Sequence, residues 1–87
     1  MVIQMIPKIN KATLIGDFKI NVSFDDGKVV VYDLMSDIEG TPHFHLLKEQ
    51  NGLLEQMKVE RYRICWNDLV DLPSDILYEY GETIQGE

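Results

Sequence analysis

The chain has one cysteine, three prolines and no basic residue beyond Arg63, and each shortage closes off a class of protein. A lone Cys65 cannot form an intrachain disulfide, so a reducing compartment is its natural setting. No apolar run approaches the roughly 20 residues that cross a bilayer. The opening MVIQMIPKIN lacks the charged start, the long apolar stretch and the small-residue cleavage site of a secretory signal. The expectation is a cytoplasmic chain with no membrane partner. Eight Lys and Arg stand against fifteen Asp and Glu, a formal net charge of -7. Gripping a phosphate backbone needs clustered cations, so no direct contact with nucleic acid is expected. A Gly-rich phosphate loop and a Gly-x-Ser-x-Gly elbow are also missing.

What is present suits a single domain spanning residues 1–87. The hydrophobic content of 45% and charged content of 26% are ordinary for a globular chain with one modest core. The charge is unevenly spread. Through Phe24, Lys8, Lys11 and Lys19 face only Asp17, whereas Asp68, Asp71, Asp75, Glu79, Glu82 and Glu87 follow Arg63 with no cation among them. Such an acidic end keeps a small protein in solution or recruits a basic partner.

Phe18 to Leu34 organises the rest. Phe18, Ile20, Val22 and Phe24 alternate with Lys19, Asn21 and Ser23, the period of two that a half-buried strand requires. Asp25-Asp26-Gly27 supplies a turn, and Lys28 to Tyr32 returns as a β-branched and aromatic strand. Two registers compete. A two-residue Asp26-Gly27 turn sets Val29 and Val31 beside Phe24 and Val22, and drags Asp33 onto Ile20's face. A three-residue loop with Gly27 as a bulge sets Val30, Tyr32 and Leu34 there instead and turns Asp33 away. Burying an unpaired carboxylate costs several kcal/mol, which favours the bulge.

The flanking segments read as covers for this hairpin. Val2 to Met5 is an apolar terminus prone to fraying. Ile6 to Leu14 reads as a first strand, turning at Ile15-Gly16-Asp17, with Pro7 at its start or edge. Met35 to Gly40 leads away from the sheet. Thr41-Pro42 opens a helix carrying Phe44 and Leu47, which should stop near Asn51-Gly52. Leu53, Leu54 and Met57 extend the spacing into a second short turn. Tyr62, Ile64 and Trp66 alternate with Arg61, Arg63 and Cys65 as a half-buried strand, and the stretch from Val59 to Trp66 offers a free edge for pairing. After an Asn67-Asp68 turn and an extended Leu69 to Leu72, Ser74 is placed as N-cap of a last helical turn carrying Ile76, Leu77 and Tyr80, closed by Gly81. The tail from Glu82 is expected to be loose. The fold class is α+β: a small antiparallel sheet with the Phe18–Leu34 hairpin at its centre, covered by short helices.

Phe24-Asp25-Asp26-Gly27, Tyr32-Asp33-Leu34, Pro42-x-Phe44-x-x-Leu47 and the ending Trp66-x-x-x-x-Asp71-Leu72-x-x-Asp75-x-Leu77-Tyr78 stand in a telling order. Over roughly Pro7 to Tyr78 the chain resembles the small bacterial family catalogued as domain of unknown function 2442. Members commonly carry a Pro soon after the Trp and an Asn-Gly turn before the Asp-Leu pair. Here Asn67-Asp68-Leu69-Val70 takes that place, which bears on the local turn. The resemblance implies a compact α+β unit without an established activity. In some members such a unit precedes a helix-turn-helix region. In others it is encoded beside a second small protein, in arrangements suggestive of toxin–antitoxin pairs. This chain ends before any second domain, so the stand-alone form is expected.

Residues able to carry chemistry each have a plainer use. His43 and His45 flank Phe44, and on a helix such a pair points about 200° apart. A structural zinc wants about four ligands, so no metal and no cofactor is expected. Asp25-Asp26-Gly27 lacks the further oxygen ligands of a calcium loop. Asp33, Asp68 and Asp71 could serve acid–base work only by converging; Asp33 and Asp71 instead occupy positions where Asx side chains bond backbone N–H groups. Cys65 lies mid-strand between Ile64 and Trp66, a poor position for a nucleophile. Trp66 is a core anchor first and an interface residue second. With Tyr62, Tyr78 and Tyr80 it can contribute to an aromatic and acidic surface, so Trp66, Asp71 and Tyr78 are the candidate interaction residues.

These readings converge on a non-catalytic protein-interaction or regulatory module, for which the resemblance suggests one half of a toxin–antitoxin-like pair, and whose partner is another small protein or a second copy of itself. An accessory subunit of a transcriptional regulator is one alternative. A small-ligand binder or minor enzyme is the other.

Overall fold

In the computed structural model, which describes residues 6–16 and 18–85, the central hairpin comprises β2 (Lys19–Phe24) and β3 (Val29–Asp33). Ile20 lies opposite Tyr32 and Val22 opposite Val30. The Phe24 amide donates to the Lys28 carbonyl, and the Gly27 amide donates back to the Phe24 carbonyl. Gly27 takes φ +95°, the left-handed region that glycine enters without a Cβ penalty. This is the three-residue loop with its glycine bulge. Val30, Tyr32 and Leu34 are therefore buried with Ile20, Val22 and Phe24, while Asp33 faces solvent.

The sheet grows from both sides of the hairpin: β1 (Ile9–Leu14) lies beside β2, and β7 (Glu82–Gln85) beside β3, giving the order β1-β2-β3-β7. Strand β1 (Ile9–Leu14) pairs antiparallel with β2, three residues later than the expected start at Ile6. Pro7 has no N–H to give a ladder, and the neighbouring backbone is used elsewhere: the Lys8 carbonyl accepts from Asp25, and the Ile9 amide donates to Arg61. The expected fraying of Val2 to Met5 lies outside the described residues. Phe18, expected inside β2, precedes it with φ +58°, and its carbonyl accepts the Leu34 amide.

The largest departure is at the C-terminal end. Glu82–Gln85, expected to be loose, forms β7 and pairs antiparallel with β3. Gly81 makes that return possible. A Cβ there would sit 2.6 Å from the Leu77 carbonyl oxygen and 2.7 Å from Cγ2 of Val30, so any other residue would hold the chain off the strand. Once past Gly81, Glu82–Gln85 covers an edge that β3 would otherwise expose.

A second sheet, absent from the sequence reading, orders β4 (Lys58–Val59), β5 (Arg63–Cys65) and β6 (Asp71–Pro73) as β4-β5-β6. The free edge expected between Val59 and Trp66 is thus corrected for β5, which is paired on both sides. The regular alternation is corrected as well. Tyr62 is 50% exposed, whereas Ile64, Cys65 and Trp66 are all buried, because only Arg63–Cys65 is extended strand. The β5–β6 connection closes through a Trp66 amide to Val70 carbonyl bond. Asn67 Oδ1 accepts from the amides of Leu69 and Val70.

Between the sheets run short helical pieces. The segment expected to lead away from the sheet does so as helix α1 (Met35–Gly40); Asp33 Oδ1 accepts the Met35 amide, and Leu34 and Ile38, one turn apart, are both buried. Pro42 does open a helical segment, as 3-10 turns over Pro42–His45 that pass into α2 (Leu46–Glu49). Thr41 is extended there, but its side chain forms no cap bond. Phe44 and Leu47 are buried as the spacing requires. The segment ends at Glu49, and Gly52 turns the chain at φ +82° into a 3-10 turn at Leu54–Gln56. Helix α3 (Ser74–Tyr80) closes the core with Leu77. One cluster joins residues from both sheets and all three helices, from Ile9 through Ile38 and Trp66 to Leu77.

Gly81→Ala is expected to lower unfolding free energy by about 1–3 kcal/mol, the usual cost of forcing atoms into a packed contact. Gly40→Ala, where an added Cβ meets nothing within 4 Å, should stay within about 0.5 kcal/mol of the parent. Urea unfolding of the two variants side by side checks the contrast.

Candidate functional site

Helix α3 carries the surface of interest because its residues face three ways. At about 100° per residue, Ile76 and Tyr80 share one flank, Tyr78 takes the other, and Leu77 points into the core. The helix is entered from Pro73, extended at φ -65° and ψ 152°. Ser74, expected as its cap, is instead its first residue: the Ser74 amide donates to the Tyr62 carbonyl, and its buried hydroxyl has no hydrogen-bond partner among the described residues.

On the Tyr78 flank the helix is tied to the hairpin loop. The Tyr78 hydroxyl donates to Asp26 Oδ2, whose other oxygen accepts the Lys28 amide at 2.9 Å. The Tyr78 ring stands edge-on to Phe24, with centroids 4.9 Å apart. Lys28 Nζ lies 3.9 Å from the ring centroid and donates to the Tyr78 carbonyl at 2.9 Å. The bond from Tyr78, then the Lys28 amide, holds the Asp26 carboxyl below its ordinary pKa. The same bond raises the Tyr78 phenol. Around these residues opens an apolar cleft lined by Ile6, Pro7, Phe24, Tyr62 and Tyr78. The Lys8–Asp25 pair, at 3.7 Å, lies on its rim.

On the other flank, Val31, Tyr32, Ile76 and Tyr80 line a cleft of about 600 Å³ that also receives Lys19, Asp33, Asp37 and Glu82. Tyr80 is 72% exposed. The Tyr32 hydroxyl donates to Asp37 Oδ2 at 2.6 Å; burial first, and then this carboxylate, push the phenol well above its ordinary pKa.

The second sheet carries a smaller polar depression lined by Lys58, Glu60, Arg63, Cys65 and Asp68 with Trp66 and Asn67. Arg63 donates from Nε to Glu60 at 2.8 Å and from its terminal nitrogen to Asp71 at 3.4 Å. The bond from Arg63 keeps the Glu60 carboxyl below its ordinary value. The Cys65 thiol lies 3.9 Å from the other Glu60 oxygen.

Trp66, Asp71 and Tyr78 do not form one surface. Trp66 is 4% exposed, with Nε1 donating to the Leu54 carbonyl at 3.2 Å, so it anchors the core. Asp71 pairs with Arg63 on an exposed face, and Tyr78 lines the apolar cleft beside Phe24. Nor do Asp33, Asp68 and Asp71 meet: Asp33 caps α1 and lines the Tyr80 cleft, whereas Asp68 lies near Arg63. The Asx role expected of Asp71 belongs to Asn67. His43 and His45 are both exposed on the 3-10 turns. Among the described residues no group of three or more His, Cys, Asp or Glu is arranged to hold a metal ion.

Sequence reasoning missed Asp26, Lys28 and Asp37. Lys28 and Tyr78 are separated by 50 residues, a contact no local pattern announces. Compared with protein-family models, with curated proteins and with solved structures, the chain matches none.

Two outcomes follow. Tyr78→Phe removes the donor that contributes most to lowering the Asp26 pKa, so carboxyl NMR titration should show that pKa rising toward the ordinary carboxylate range with the fold intact. A depressed carboxylate stabilises the fold above its ordinary pKa and loses that contribution as pH falls through the lowered value; the variant should therefore lose less stability than the parent on acidification. Trp66→Ala should cost about 3–5 kcal/mol, as other large core truncations do, measured by denaturant unfolding.

Proposed function

We propose that this chain is a non-catalytic protein-interaction or regulatory module that pairs with another small protein or with a second copy of itself. The observation that carries the reading is the exposure of aromatic side chains beside α3. Tyr62 is 50% and Tyr80 72% exposed, and each lines a cleft with an apolar floor. Tyrosine in that setting offers a large, stiff contact area with a polar tip, the composition that distinguishes interface cores from other surface.

The placement of the carboxylates supports a structural use for them. Asp26, Asp33, Asp37, Glu60 and Asp71 each accept a hydrogen bond from the chain's own backbone or side chains. The resemblance to the bacterial family of unknown function adds, by analogy, a partner encoded alongside, as in toxin–antitoxin-like pairs. A cytoplasmic setting suits the single thiol.

Size-exclusion chromatography with light scattering, on the chain alone over a range of concentrations and with the product of the adjacent gene, tests this. A homodimer or a mixed complex is expected, weakened about tenfold or more in Tyr62→Ala/Tyr80→Ala, as loss of aromatic anchors does elsewhere. A monomer at every concentration, with no complex, overturns the reading.

A further inference from the structure

We propose that the cleft between β3 and α3 receives a basic segment of a partner protein, one lysine or arginine stem lying along Ile76 and Tyr80 with its cation among Asp33, Asp37 and Glu82. The proposal rests on the interaction reading for the kind of partner; the geometry supplies the chemistry. Three carboxylates face a single ammonium, that of Lys19, around this cleft. One oxygen of Asp33 is occupied by the Met35 amide and one of Asp37 by the Tyr32 hydroxyl. A carboxylate offers several acceptor positions, so the second oxygen of each remains for an incoming donor.

The floor fits a basic side chain better than it fits a bare ion. Val31 and Ile76 are half-buried and Tyr80 is 72% exposed, giving an apolar track of the kind that long cationic stems cover while their heads stay polar. The Tyr80 ring can also take a cation on its face. The remainder of the molecule reinforces the sign. No Lys or Arg follows Arg63, so α3 and β7, which supply Ile76, Tyr80 and Glu82, bring no cation of their own. An acidic segment would meet three like charges, and such juxtaposition is costly. The complementary occupant is basic.

The test uses the full chain and a defined probe, the peptide Ac-GRLRG-amide, titrated while amide shifts are followed by NMR, with the citrulline analogue as the uncharged control. Saturable shifts confined to Val31, Asp33, Asp37, Ile76, Tyr80 and Glu82 are expected, with the citrulline peptide binding at least fivefold more weakly. Asp33→Asn/Glu82→Gln should weaken the arginine peptide at least fivefold. Asn keeps the Oδ1 that caps α1, so this variant should retain the parent's dispersed spectrum. The control Asp68→Asn/Asp71→Asn removes the same charge from the second sheet and should change affinity less than twofold. Equal weakening by both variants, or shifts spread over the surface, would mean general attraction to an acidic protein and overturns the proposal. A complex in solution that persists in Asp33→Asn/Glu82→Gln, with no peptide binding, overturns it while the interaction reading stands. Peptide binding by a chain that forms no stable complex upholds the cleft and removes the broader reading.

Discussion

The parity of the central hairpin governs everything else in this molecule. A shift of one residue between β2 and β3 would send every side chain of one strand to the opposite face. With Gly27 at φ +95° closing a three-residue loop, Val30, Tyr32 and Leu34 join Ile20, Val22 and Phe24 in the interior. The same parity turns Asp33 outward, where it can cap α1, and sets Leu34 and Ile38 one turn apart against the core. It also leaves Asp26 and Lys28 at the loop, within reach of Tyr78. Burial of six apolar side chains and the anchoring of two helices thus follow from one backbone position.

Local pattern made the hairpin and its register legible, because alternation, the cost of burying Asp33 and the Gly27 turn all point one way. Pro42 and the Phe44–Leu47 spacing worked for a similar reason: the information lies within one turn of chain. Short elements stabilised by distant partners were not legible. Helix α1 buries Ile38, with Leu34 just ahead of its start, too little periodicity to announce itself. Strand β7 exists because Gly81 lets the backbone pass Val30, a contact spanning half the chain. Trp66 was given two roles, and its Nε1 bond to Leu54 together with its burial places it in the core. Tyr62 was read by alternation as a neighbour of Ile64, yet the chain bends before Arg63 and leaves it exposed. A three-residue strand does not sustain a period of two.

The site followed the same division. Tyrosine and acid were read as the surface vocabulary, but their grouping depended on α3. Tyr78 and Tyr80 are two residues apart and so about 200° around a helix; they belong to different clefts and cannot share one. Asp71, named with Trp66 and Tyr78 as a candidate interaction residue, sits on β6 and pairs with Arg63. Asp37, which received no role from the sequence, lies in the Tyr80 cleft and holds Tyr32.

The two clefts are mechanically one feature. A seven-residue helix has too few internal bonds to persist alone in water, so its position comes from what grips it. Tyr62 holds the Ser74 amide at one end, Val30 packs against Gly81 at the other, and Asp26 and Lys28 clasp Tyr78 between them. Those contacts reach the first sheet at the hairpin loop and at β3, and the second sheet at Tyr62. The width of each cleft is therefore set by where α3 rests between the two sheets. Leu77, fully buried, fixes the inner face of the helix, so the grip on Tyr78 by Asp26 and Lys28 leaves Ile76 and Tyr80 to line the cleft on the opposite flank.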